Sequence, residues 1–298
     1  MNDEIIISKK DVQIFKGKYF LSWVKFNNKF NISPNSKIVV FDLDETLGSF
    51  ADLYIIWCGI LHIWNDCPYF NRILDTFPEF LRFGIIIILQ YLYSEKINKK
   101  CDKIFLYTNN QCSIEWVRNI IDYFESKILI QDNIKLFDKI IGAFKINNKI
   151  SEFQRSSHLK NIDDLKRCSN INDDNFICFI DDVIFPDMKG SNVYYLCPRA
   201  YQHSLDYKTI LKRIHSIDWF PKGKKYSLLN NSYYWKSWIN FHKRKVIKKG
   251  KDNMDLHILI TQKLLNHIRY FLNYKIDNKN ITPKKKYNNK NNITRKKK

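Results

Sequence analysis

Four consecutive apolar residues, Ile38 to Phe41, run directly into an acidic loop, Asp42-Leu43-Asp44-Glu45-Thr46-Leu47. A short apolar run without polar alternation is what a strand buried on both faces needs, and such strands belong to parallel sheets covered by helices. The pattern recurs along the chain. β-rich runs at 103–108, 139–143, 175–180 and 193–197 alternate with helix-like segments at 79–96, 113–126 and 159–168. Strands joined by helical crossovers connect right-handedly, so the expected fold is α/β, a mainly parallel Rossmann-like sheet with helices on both faces. Ligands of such sheets bind beyond the carboxyl ends of the strands. Asp42 and Asp44 follow the first run, Thr108 ends the second, and Asp181 and Asp182 follow a later one. Three separate strand ends therefore deliver acidic or hydroxyl groups to one edge.

Outside this region the pattern changes. Residues 1–36 form an N-terminal edge segment, with a β-rich run at 4–7 and an aromatic stretch at 15–30 closed by a turn at Pro34 and Asn35. The core spans 37–200. Beyond Pro198, stretches at 207–219 and 233–248 look helical, and Leu256, Ile260, Leu264, Ile268 and Phe271 recur at helical spacing, so 201–274 reads as a C-terminal helical appendage. Trp235, Trp238 and Phe241 share that spacing, which suits core packing, although such rings also stack on bases. Residues 275–298 are dense in Lys and Asn and nearly free of apolar side chains, as expected of a disordered basic tail.

Composition limits the classes of function. The apolar runs at 53–64 and 83–93 fall short of the roughly 20 residues that span a bilayer, so no transmembrane segment is expected. The first ten residues include two acids and lack the basic-then-apolar order of a signal peptide. Seven cysteines stand singly without a CxxC pair, which fits a reducing intracellular compartment, cytoplasmic or nuclear. Lys+Arg of 50 against Asp+Glu of 30 gives a net charge of +20, attractive to nucleic acid, phosphorylated protein or anionic membrane. The abundance of Asn, Lys and Ile, all with AT-rich codons, supplies a second source for that charge.

The hexapeptide from Asp42 to Leu47 resembles the DxDxT signature of the haloacid dehalogenase (HAD) superfamily, in the DLDETL form of the branch of RNA polymerase II C-terminal-domain phosphatases. Further signatures follow in order: a Thr after a strand in LYTNN, a later Lys, and the acidic pair of FIDDV. The resemblance covers about the middle half of the chain and implies a Mg2+-dependent phosphatase with an aspartyl-phosphate intermediate. Asp42 is the implied nucleophile and Asp44 its acid/base partner. Asp42, the backbone carbonyl of Asp44, Asp181 and waters supply oxygen ligands for Mg2+, with Asp182 a further candidate. Thr108 offers a hydroxyl to a phosphoryl oxygen, and a lysine offsets the remaining charge. Lys160, in HLKNIDDL, matches the branch context; Lys166 lies nearer Asp181 in sequence. Lys160 is favoured. One departure is Arg82-Phe83-Gly84, where the branch often carries Arg-Pro-Gly, so a less rigidly set helix start is expected.

Only about 30 residues separate Leu47 from the helix expected near Glu79, fewer than the roughly 40 of an independent unit. A small or absent cap leaves the site open to a phosphate displayed on a macromolecule. Three functions follow: a phosphatase of phosphoserine or phosphothreonine protein, a nucleic-acid end (3′) phosphatase drawing on the basic tail, or a catalytically idle binding module.

Overall fold

The computed structural model describes residues 13–14, 19–20, 22–23, 36–128, 134–190, 192–224 and 254–273. The run at 4–7, the stretch at 233–248 expected to be helical, with Trp235, Trp238 and Phe241, and the segment 275–298 lie outside them.

The chain is an α/β protein built on a six-stranded sheet. Its strands are β3 (Ser22–Trp23), β4 (Ser36–Phe41), β5 (Lys103–Tyr107), β6 (Lys139–Ile141), β9 (Asn175–Ile180) and β10 (Val193–Cys197), in the order β3-β10-β9-β4-β5-β6. Five are parallel, and β3 pairs antiparallel on the outer edge of β10. Two small antiparallel pairs accompany the sheet, β1 (Gln13–Ile14) with β2 (Tyr19–Phe20) and β7 (Lys145–Ile146) with β8 (Lys149–Ile150). The central strand β4 lies between β5 and β9, so the acidic loop leaves from the middle of the sheet.

Alternate residues of each strand face opposite sides, and each side has its own core. Val39, Phe41, Ile104, Leu106, Cys178, Ile180 and Tyr194 pack under α1 (Ala51–Ile63), α2 (Phe70–Thr76), α3 (Ile85–Ile97) and α4 (Ile114–Lys127). The same core takes Ile210 and Ile214 of α6 (Tyr207–Ser216) and Ile260, Leu264 and Ile268 of α7 (Met254–Asn273). Ile38, Val40, Phe105, Ile177 and Phe179 face the other way, against Leu165 and Cys168 of α5 (Ile162–Ser169) and Met188. Helices thus cover both faces, most of them on one. Among the described residues no helix is long and apolar enough to cross a membrane.

Several boundaries move inward from the sequence reading. The helix expected over 79–96 begins at Ile85, because the chain first makes a 3-10 turn, Pro78–Phe80, and then passes Gly84 at φ 71. A side chain there is strained by that φ, and its Cβ would lie 2.4 Å from Thr261 Cγ2 of α7. Helix α6 stops at Ser216 rather than 219, and β6 at Ile141 rather than 143. The region between the acidic loop and β5 folds as α1 to α3 within the main core. Helix α7 packs along the sheet: Thr261 Oγ1 donates to the Phe83 carbonyl at 2.5 Å, and Lys37 Nζ reaches the Leu272 carbonyl at 2.5 Å.

Candidate active site

Strand register brings the site together. Phe41 pairs with Ile180 on one side and with Leu106 on the other, so Asp42 and Asp181 are each the first residue past aligned strand ends and Thr108 follows one step later. Backbone bonds keep these residues in line beyond the strands: Asp42 N to Ile180 O at 2.9 Å, Thr108 N to Ile141 O at 2.9 Å and Asp181 N to Leu196 O at 3.1 Å.

The loop after β4 turns back on itself. Glu45 takes a left-handed φ of 56, its N–H bonds Gly48 O at 2.7 Å, and Leu47 N bonds Leu43 O at 2.8 Å. Gly48 is required because a Cβ would sit 2.6 Å from the Phe80 carbonyl oxygen. Arg82, buried at 2% exposure, holds the loop from beneath. Its Nε donates to Thr46 O at 2.5 Å, and its Nη2 donates to Glu45 O at 2.5 Å and Arg199 O at 2.8 Å. Burial lowers this guanidinium to about 10, and the nearby Asp182 pulls the other way. Thr46 joins the loop to the next strand end, accepting from Asp182 N and donating to Asp182 Oδ1, both at 3.1 Å.

Lys160 reaches the centre from the opposite side. Its Nζ lies 2.5 Å from Asp42 Oδ1 and 2.6 Å from Asp181 Oδ2, with only 2% of the residue exposed. Burial pulls its pKa down, but Asp42 and then Asp181 outweigh that, raise its pKa and keep it charged. Arg155 presents the loop that carries it, donating from Nη1 to Thr108 O (3.0 Å) and Gly142 O (2.8 Å) and from Nη2 to Asn109 Oδ1 (2.8 Å) and His158 O (3.1 Å). The chain then enters α5 through Asn161, whose Oδ1 caps Asp164 N at 2.7 Å. Lys166, the other lysine considered, is ion-paired with Asp173 and takes no part in the cluster.

Three carboxylates converge here. Ligand oxygens of Asp42, Asp181 and Asp182 all lie within 4.8 Å of one another. Hard oxygen donors at that spacing suit a small divalent cation. Burial raises the pKa of Asp181, to about 7 against the pull of Lys160, and raises that of Asp182 as well. Such crowding of buried negative charge is what a bound cation relieves.

The Asp44 side chain stands apart from these three. Its Oδ2 accepts from Asn110 Nδ2 at 2.7 Å, and burial pushes its pKa up to about 6, with Asn110 opposing and Asp42 adding to the rise. Thr108, 1% exposed, accepts from Asn110 N at 3.0 Å. No family model, curated protein or solved structure matches this chain.

What the site can do is therefore read from its own chemistry. It offers a carboxylate clamped by a cation, a second carboxyl of raised pKa one turn of loop away, a buried hydroxyl and oxygen ligands for a metal. All six residues expected from sequence, Asp42, Asp44, Thr108, Lys160, Asp181 and Asp182, lie on loops at one edge of the sheet. Sequence reasoning passed over Arg82, Asn110 and Arg155 as site residues. The Arg82-Phe83-Gly84 stretch, and two Asn directly after the strand-ending Thr, were the available signals.

Proposed function

We propose that this chain is a Mg2+-dependent phosphohydrolase that works through an aspartyl-phosphate on Asp42, with phosphoserine or phosphothreonine protein as substrate. The observation that carries the reading is the Lys160 ammonium held between Asp42 and Asp181, with Asp182 alongside, at the carboxyl edge of a buried parallel sheet. Stabilising a phosphoryl transfer takes fixed positive charge around a carboxylate nucleophile, and this cluster is arranged to provide it. The resemblance of the Asp42–Leu47 loop to the haloacid dehalogenase signature supports the same reading.

Asp42, Asp181 and Asp182 would hold Mg2+, with the Asp44 backbone carbonyl as a further candidate ligand. Bound there, Mg2+ supplies the charge that lets a carboxylate approach a phosphate. The chain's own residues carry the steps. Lys160 pins Asp42 Oδ1, so Oδ2 is the oxygen that attacks phosphorus while the bond to the leaving oxygen breaks. Asp44, raised to about 6 by burial, holds a proton in a fraction of molecules at neutral pH and gives it to that leaving oxygen. The same carboxylate then takes a proton from the water that attacks the phosphoaspartate, releasing phosphate and restoring Asp42. The Thr108 hydroxyl donates to a phosphoryl oxygen as charge develops.

Turnover of p-nitrophenyl phosphate by the full chain, in Mg2+ and in EDTA, tests the reading. Metal-dependent hydrolysis that D42N abolishes is expected; hydrolysis unaffected by EDTA, or undiminished in D42N, would overturn it.

Charge distribution favours a second reading of the substrate. The described residues contain 26 Lys and Arg against 24 Asp and Glu, whereas the remaining segments contain 24 against 6. Nearly all of the net charge thus belongs to residues outside the described ones, a composition suited to binding a polyanion such as nucleic acid. Comparing a phosphopeptide with a 3′-phosphorylated oligonucleotide separates the two.

A further inference from the structure

Taken together with the phosphatase reading, the geometry points to Asn110 as the residue that positions the acid/base carboxylate and fixes which of its two oxygens handles the proton. The Asn110 side chain reaches Asp44, 66 residues away in sequence, donating from Nδ2 to Asp44 Oδ2 at 2.7 Å. Its Oδ1 accepts from Cys112 N at 2.8 Å, and its backbone N donates to Thr108 Oγ1 at 3.0 Å. This amide has one orientation. Flipped, it would set a carbonyl oxygen against a carboxylate and an NH2 group against a backbone N–H, and both contacts would become repulsive.

The anchor on the far side is firm. Cys112 precedes Ser113, the N-cap of α4, whose hydroxyl accepts from the N–H of the buried Trp116 at 3.3 Å. Asn109 is engaged elsewhere, through Oδ1 to Arg155. The two asparagines after Thr108 therefore have separate tasks: Asn109 ties the strand end to the Lys160 loop, and Asn110 orients Asp44.

With Oδ2 engaged, Asp44 Oδ1 is left to exchange the proton. In the first step the Oδ1 proton passes to the leaving oxygen as its bond to phosphorus breaks and the Asp42–phosphorus bond forms. In the second, Oδ1 takes a proton from water as that water's oxygen bonds phosphorus and the Asp42–phosphorus bond breaks. Removing Asn110 frees the carboxylate to rotate, which impairs proton transfer and leaves the groups around the phosphoryl oxygens in place. The loss should then depend on how much help the leaving group needs.

The test compares kcat/KM of the full-length wild type and N110A, with Mg2+, on two esters. Phenyl phosphate releases an alcohol of pKa about 10 and needs the proton; 2,4-dinitrophenyl phosphate releases a far more acidic phenol and does not. N110A should lose about 100-fold on phenyl phosphate and less than about 5-fold on the dinitrophenyl ester, within the range of general acid catalysis. N110D, which sets a second carboxylate against Asp44, should lose more than N110A on phenyl phosphate. Acid quenching should show N110A accumulating phosphoenzyme, because the water step slows too. If N110A does not fold, N110S, too short to reach Asp44, should give the same leaving-group signature. Equal losses on both esters, or no loss on phenyl phosphate, overturn the assignment while leaving the phosphatase reading intact. A wild type that turns over neither ester overturns both.

Discussion

Replacing Lys160 with methionine removes one buried cation and leaves two buried carboxylates without it. The wild-type contacts are 2.5 Å to Asp42 and 2.6 Å to Asp181. At an effective dielectric of about 20 each is worth roughly 6 kcal/mol before desolvation, and removing one partner of such a buried pair costs about 3–5 kcal/mol net. Asp181, already raised to about 7 by burial, loses the cation that lowers it and moves higher still. A carboxyl whose folded pKa exceeds its unfolded value contributes stability that is complete at low pH and lost as pH rises through the folded pKa. In the wild type that loss for Asp181 runs from about pH 4 and is complete by about pH 7; in K160M it continues to higher pH, so acidification restores more stability to the variant. At about 1.4 kcal/mol per pH unit, the deficit should shrink by roughly 1–2 kcal/mol between pH 8 and pH 5.5. Urea unfolding of both proteins in EDTA at the two pH values measures it. A variant as stable as the wild type at pH 8, or a deficit identical at both pH values, would refute the charged bridge. Aryl phosphatase activity of K160M should fall about 100- to 1,000-fold.

Other perturbations probe separate parts of the molecule. D181N should abolish turnover or raise the Mg2+ concentration needed for half-maximal rate by about tenfold or more, and an unchanged metal dependence in a Mg2+ titration would remove Asp181 from the ligand set. R82M, which strands the Thr46, Glu45 and Arg199 carbonyls, should cost about 3 kcal/mol in urea unfolding; a loss below about 1 kcal/mol would mean the loop does not need it. His267, whose Nδ1 lies 2.6 Å from Tyr194 Oη, is lowered to about 4 by burial. The folded state then binds fewer protons than the unfolded one between about pH 6.5 and 4, so wild type should lose about 3 kcal/mol across that window as pH falls. H267Q should lack that component, and equal pH slopes for the two proteins would show that His267 is not held neutral.

Much of the sheet was legible because buried parallel strands are written as uninterrupted apolar runs. Asn175–Ile180 and Val193–Cys197 have the bounds read from sequence, and every residue expected at a strand end lies at the carboxyl edge. Lys160 was separable from Lys166 only through its motif context, since helical spacing says nothing of which lysine turns inward. The partners that shape the site left weaker traces. Arg82, and Arg155 in all but its bond to Asn109 Oδ1, bind backbone carbonyls, which every residue has, and so leave little complementary pattern to find. Asn110 acts across 66 positions, a contact no local pattern encodes. Helix α7 was legible as an amphipathic helix, but its seat beside α3, through Thr261 and Gly84, depends on long-range packing.

The central claim is that Asp42 accepts the phosphoryl group. Quenching the full-length protein in acid during steady-state turnover of p-nitrophenyl phosphate, reducing with borohydride and sequencing the peptides by mass spectrometry tests it directly. Homoserine at position 42, absent when substrate is omitted and absent in D42N, is the expected result. Active turnover with an unmodified Asp42, or with the reduced residue elsewhere, would contradict the account.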